Sequence, residues 1–240
     1  MNIIIYLFVS QHVLKGFVRT LMDQAQPWIL ADKAVVGPRL QVLAAGAYLP
    51  WAMKPVIGLC SDFYTIRGLH KAPYVLMSSG LGVLSLFVLG FVPDDYLDVS
   101  QIVLCLFMIN LQVSTCDLLS EAKYAEKIRE VPERGPDLIS YVWLGLTFAQ
   151  FTGNGIIGPL MERISNQAPF ALAVIPASLI VYPTIKNYLE ERRLTPLEAR
   201  ARKELVWTEN RATTFLVFCM LIGTITLTAV GTFSSSMHLN

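Results

Sequence analysis

The sequence predicts an all-α membrane protein, and three observations carry that prediction. Of 240 residues, 54% are hydrophobic and only 15% are charged, with a mean hydropathy of +0.51. A soluble domain of this length carries more charge. Apolar runs recur at lengths near the roughly 20 helical residues that cross a hydrocarbon layer of about 30 Å. Basic residues gather in alternate connections between those runs, the pattern of cytoplasmic loops. The net charge of +1 implies no strongly acidic or basic partner, and no nucleic acid.

Seven spans follow, at residues 3–23, 40–60, 73–92, 102–121, 138–161, 168–185 and 212–233. The first begins in MNIIIYLFVS. That segment lacks a basic leader and a small-residue cleavage site, so it reads as a membrane helix rather than a signal peptide. Spans three, five, six and seven are almost free of charge, whereas one, two and four carry it. The loop after span two holds Arg67 and Lys71, and the loop after span four holds Lys123, Lys127, Arg129 and Arg134. The loop after span six holds Lys186, Arg192, Arg193, Arg200, Arg202, Lys203 and Arg211. The opposite loops carry only Lys33, Arg39 and Arg163. The bias predicts a cytoplasmic N-terminus and a solvated, basic cytoplasmic linker at 186–211, suited to an anionic leaflet.

Residues three and four apart share a helix face. Span one thus carries a stripe of His12, Lys15, Arg19 and Asp23. Span two carries Tyr48, Trp51, Lys54 and Gly58, and span four Asn110, Ser114, Asp117 and Glu121. Span five carries Trp143, Thr147, Gln150 and Asn154. Pro50 and Pro55 bracket Lys54 and predict a kink. A charge inside a membrane span is costly and reads first as a functional group facing a cavity, a partner or a ligand. A structural alternative stands beside it: Lys15, Arg19 and Asp23 pairing with Asp117 and Glu121 and binding nothing. Lys54, about six residues or roughly 9 Å from the cytoplasmic end, also has reach to extend toward the headgroups.

The stretch YLPWAMKPVIGLCSDFYTIRGLHKAPY at 48–74 joins this kink to a G-x-x-x-D exit and a basic loop. It resembles the loop signature between the second and third helices of the major facilitator superfamily. The fuller string L-P-W-x-x-K-P-x-x-G-x-x-S-D, then I-x-G and K-x-P-Y, is similar to the folate–biopterin transporters, the pteridine carriers of kinetoplastid type. The resemblance covers most of residues 1–190. It implies a six-helix half-bundle at 1–185, a cytoplasmic linker at 186–211, and at 212–240 the first helix of a truncated second half. In that fold, helices one and four line a central cavity, two and five flank it, and three and six face outward.

The resemblance further implies pteridine transport by alternating access, across a membrane that we expect to be the plasma membrane. Lys15, Arg19 and Lys54 suit the carboxylates of folate, and Asp117 suits the paired N–H donors of the pterin edge. Tyr48, Trp51, Trp143 and Phe148 offer aromatic faces, and Glu121 and Gln150 complete the polar wall. Asp117 or Glu121 opposite Lys54 is a candidate proton carrier. Gly58, Asp62, Arg67 and Lys71 form a gating loop, with Asp62 meeting the positive N-terminus of another helix. Gly153, Gly155, Gly158 and Pro159 allow close helix packing or a kink.

The expected partners are a small pteridine, the lipid bilayer, and a missing C-terminal half or a second chain. Two other readings stay open: a truncated half-carrier that transports nothing alone, and a porter of another small solute. Cys60, Cys105, Cys116 and Cys219 have no metal or redox spacing and read as packing residues. His12, His70 and His238 are isolated in sequence. No cofactor, metal site or catalytic constellation is implied, and no enzyme activity.

Overall fold

The computed structural model describes residues 2–35, 37–209 and 211–237, so His238 lies outside the described residues. The described chain is helical, with one isolated antiparallel bridge between Ile66 and Leu69. Helix α1 covers residues 2–31, α2 Pro38–Phe63, α3 Ala72–Phe91, α4 Val99–Glu130, α5 Gly135–Arg163 and α6 Ala168–Ile185. A linker helix α7 at Pro196–Glu209 leads to α8 at Arg211–Met237. By length and composition, α2, α3, α4 and α6 are apolar enough to cross a membrane. The remaining long helices, α1, α5 and α8, have the length for it at 1.5 Å per residue.

Local chemistry starts and breaks these helices where proline and capping residues demand. Pro38, Pro73, Pro136 and Pro169 each sit in a first turn, where a missing N–H costs nothing. Asp98 and Gln101 form a reciprocal capping box at the start of α4. The predicted kink in α2 falls at Met53, whose φ of −83° and ψ of 0° leave the helix before Lys54 restarts it.

The core lies where α1 and α4 meet their neighbours. Tyr6, Leu14, Leu21 and Ile29 from α1 are fully buried with Ile102, Leu106 and Ile109 from α4, Leu86 and Leu89 from α3, and Phe170 from α6. Helix α5 packs on α1, α2 on α4, α3 between α4 and α6, and α8 on α2. Gly16 is required by the α1–α5 contact: a Cβ there would stand 2.7 Å from Ala149 Cβ and 3.1 Å from the Leu146 carbonyl oxygen. Gly153 approaches Thr20 in the same seam, while Gly155 and Gly158 face open space. Of Gly153, Gly155 and Gly158, only Gly153 therefore acts in packing. Cys116 is buried as expected, but Cys60 and Cys219 are exposed.

Residues 8–18 of α1 are wound as a π-helix, so Arg19 N–H donates to the carbonyl of Leu14 rather than of Lys15. The wider winding rotates the residues that follow relative to an α-helix, a common device at functional sites. Its effect on the polar face is direct.

Candidate functional site

The kink at Met53 places Lys54 on the first turn of the second half of α2, facing α4. Its Nζ lies 2.5 Å from Asp117 Oδ2. From α1, Lys15 Nζ lies 2.7 Å from Asp117 Oδ1, and the Gln11 amide donates to the same oxygen at 3.0 Å. The Asp117 side chain is 1% exposed. One turn further on, Glu121 is 37% exposed and approaches Lys15 at 3.3 Å and Lys54 at 3.8 Å. Two ammonium groups and two carboxylates thus close into a cluster of zero formal charge held by three helices. Burial of charge is tolerable here because each group is paired.

An aromatic shelf continues the cluster. The Arg19 guanidinium stands 4.0 Å and the Lys54 ammonium 4.7 Å from the centroid of the Trp51 ring. Its indole N–H donates to Asn110 Oδ1 at 2.8 Å. Arg19 pairs with Asp23 at 3.2 Å, and the Tyr48 hydroxyl donates to Asp23 at 2.7 Å. From α5, the Trp143 ring centroid stands 6.0 Å from the Lys15 ammonium. Gln150 lies two turns along that face and is half-buried. The geometry can hold an anion against two lysines and stack a flat ring on an indole.

One residue of the expected polar stripe and one expected aromatic face sit elsewhere. His12 turns toward α5, with Nε2 3.1 Å from the Tyr141 carbonyl oxygen. Phe148 joins Phe8, His12, Phe17 and Tyr141 in an apolar groove of about 590 Å³ on the other side of α1. The π-winding explains the first: Gln11 takes the place against Asp117 that a regular stripe gives to His12. Gln11 was legible only as a residue four before Lys15.

The loop between α2 and α3 is wired differently from the expectation. Asp62 pairs with Arg202 of the linker helix at 2.8 Å, not with a helix N-terminus. The N-terminus of α3 is instead capped by Glu191, from the chain after α6. Its carboxylate accepts from the backbone N–H groups of His70 at 2.5 Å, Lys71 at 2.8 Å and Ala72 at 3.0 Å, and His70 Nδ1 stands 2.8 Å away. Burial alone would raise the Glu191 pKa; the His70 contact and the three backbone donors outweigh it and hold the group at about 2. Lys71 pairs with Glu126 of α4. Arg67, with φ of +55°, forms the left-handed turn beside Gly68, whose carbonyl accepts from Leu194 N–H at 2.8 Å. A Cβ on Gly58 would make only ordinary contact with Leu118 at 3.5 Å. The first part of the linker is therefore not solvated: Leu189 and Glu191 are buried.

Apolar helices able to span a bilayer, with a paired charge cluster between three of the helices, define a multi-pass all-α membrane protein. The chain belongs to the BT1 family, whose model matches residues 15–235. Among its relatives are two from Arabidopsis thaliana, probable folate-biopterin transporters 7 and 4. Transporter 7 is 28% identical over 66% of this chain and 38% of its own length. Transporter 4 is 29% identical over 68% of this chain and 34% of its own length. Folate transporter 1 of Plasmodium falciparum (isolate 3D7) is 30% identical over 47% of this chain and 22% of its own length. The chain spans about a third of the length of the curated Arabidopsis relatives it matches.

Proposed function

We propose that this chain is part of a carrier that moves pteridines, folate or biopterin, by alternating access. The supporting observation is the cluster of Lys15, Lys54, Asp117 and Glu121 beside the Trp51 ring, in a chain whose relatives bear the names of folate and folate-biopterin transporters. In this reading, the lysines meet a carboxylate, the indole stacks the ring, and Tyr48, Arg19 and Asp23 continue the path. Trp143 and Gln150 form the opposite wall. Exposed Phe148 and Phe151 offer α5 to further helices, from a second chain or from more of the same protein. The proposal includes seven spans, a cytoplasmic N-terminus, a plasma-membrane location and proton coupling through Glu121, the carboxylate with access to water. It assigns no chemical reaction to the chain.

The test is saturable binding or uptake of tritiated folate and biopterin by the folded chain, expressed in cells without their own pteridine uptake. Saturable binding displaced by either unlabelled compound is the expected result. A folded, membrane-inserted chain that neither binds nor takes up either compound contradicts the proposal.

A further inference from the structure

We propose that Glu121 is a built-in surrogate for the anionic end of the substrate. It occupies the open side of the Lys15–Lys54 pair and yields that place to an incoming carboxylate. The inference rests on the pteridine reading above and assigns roles within the same site.

The two carboxylates of the cluster are not equivalent. Asp117 is sealed, at 1% exposure, and touches both ammonium groups at 2.7 and 2.5 Å. Its Oδ1 accepts from Gln11 as well as Lys15. It has no free edge to offer a pterin. Glu121 is 37% exposed and stands at 3.3 and 3.8 Å from the same lysines. The second distance is beyond a direct hydrogen bond. Each lysine is thus gripped from the buried side by Asp117 and loosely from the open side by Glu121. A partly exposed pair contributes little, because water competes for both ends. Removing the buried partner would instead strand charge.

An arriving carboxylate therefore displaces Glu121 and leaves Asp117 in place. The exchange keeps two anions against two cations, so no net charge is buried when substrate binds. Asp117 and Gln11 act as positioning residues that hold the lysines ready. Glu121 sets the threshold that an anion must exceed. A pteridine without a carboxylate does not compete for that place, so Glu121 governs the choice between folate and biopterin.

The test compares equilibrium binding of tritiated folate and tritiated biopterin to the purified chain in lipid nanodiscs, for wild type, Glu121→Gln and Glu121→Asp. Glutamine keeps the shape and removes the competing charge; aspartate keeps the charge and shortens its reach. The folate-to-biopterin affinity ratio should rise about fivefold in Glu121→Gln, about 1 kcal/mol, and by a smaller factor in Glu121→Asp. A ratio that stays constant or falls in both variants overturns the inference. Wild-type protein that binds neither compound overturns the pteridine reading beneath it, a separate result, because biopterin binding by wild type does not involve displacement of Glu121.

Discussion

Replacing Asp117 by asparagine keeps the shape of the side chain and removes the charge that holds two lysines. Lys15 and Lys54 then face only Glu121, at 3.3 and 3.8 Å. Breaking a buried ion pair by removing one partner costs about 3–5 kcal/mol. The lysine side chains are 15% and 21% exposed and keep some access to water, which places the expected loss at the lower end, about 3 kcal/mol. Lys54→Met should cost less, about 2 kcal/mol, because Asp117 retains Lys15 and Gln11. In the double variant the stranded ammonium at position 54 is gone, so the losses should not add. We expect a coupling of about 2 kcal/mol, well above the few tenths seen for independent sites. The assay is the unfolding free energy of all four proteins in mixed micelles, by titration with a denaturing detergent. Losses that add within about 0.5 kcal/mol would refute the argument that Asp117 organises the lysines.

Three further outcomes follow from other parts of the molecule. Glu191 has its pKa lowered from 4.5 to about 2 in the folded chain, so its stabilisation is complete above pH 4.5 and lost as pH falls toward 2. The shift corresponds to about 3 kcal/mol, and acid titration of Glu191→Gln in micelles should lack that portion of the wild-type pH dependence; identical profiles would contradict the cap. Gly16→Val should lower stability by about 1–3 kcal/mol, because the added carbon meets Ala149 and the Leu146 carbonyl; an unchanged thermal midpoint would show that the α1–α5 seam is loose. Cysteines placed at Asp95 and Pro196, after replacement of the four native ones, should react with an impermeant label from opposite sides of the membrane. Labelling from one side would overturn the proposed topology.

Much of this arrangement is legible in the amino-acid sequence. Helices were written in apolar runs, and the break at Met53 in the pair Pro50 and Pro55 around Lys54. The stripes offered Lys15, Arg19 and Asp23 as partners of Asp117 and Glu121, and the resemblance set Lys54 opposite those carboxylates; Lys15 and Lys54 join them, while Arg19 and Asp23 pair with each other. Gln11, four residues before Lys15, was passed over for His12, three before it; the wider π-winding of residues 8–18 favours the longer step and turns His12 away toward Tyr141. Phe148 was misplaced for a related reason: it falls five residues after Trp143 and leaves that face. The partners of the loop between α2 and α3 were hidden by distance along the chain. Glu191 is 119 to 121 residues from the N–H groups it caps, and Arg202 is 140 from Asp62. No local periodicity reports pairings of that range. The role we infer for Asp117 differs from the sequence expectation: sequence favoured it as the acceptor for a pterin edge, whereas we infer, from its burial and its contacts with both lysines, that it holds them.

The central claim is that the lysine pair of α1 and α2 receives the anionic end of a pteridine. It is tested most directly by tritiated-folate binding to the purified chain in nanodiscs, comparing wild type with Lys15→Met and Lys54→Met. Each lysine removed takes away a charge-assisted contact of about 1.5–3 kcal/mol, so folate affinity should fall at least tenfold in each folded variant, and more than biopterin affinity falls. Folate bound with wild-type affinity by both variants would contradict the account, leaving the cluster as a clasp between helices.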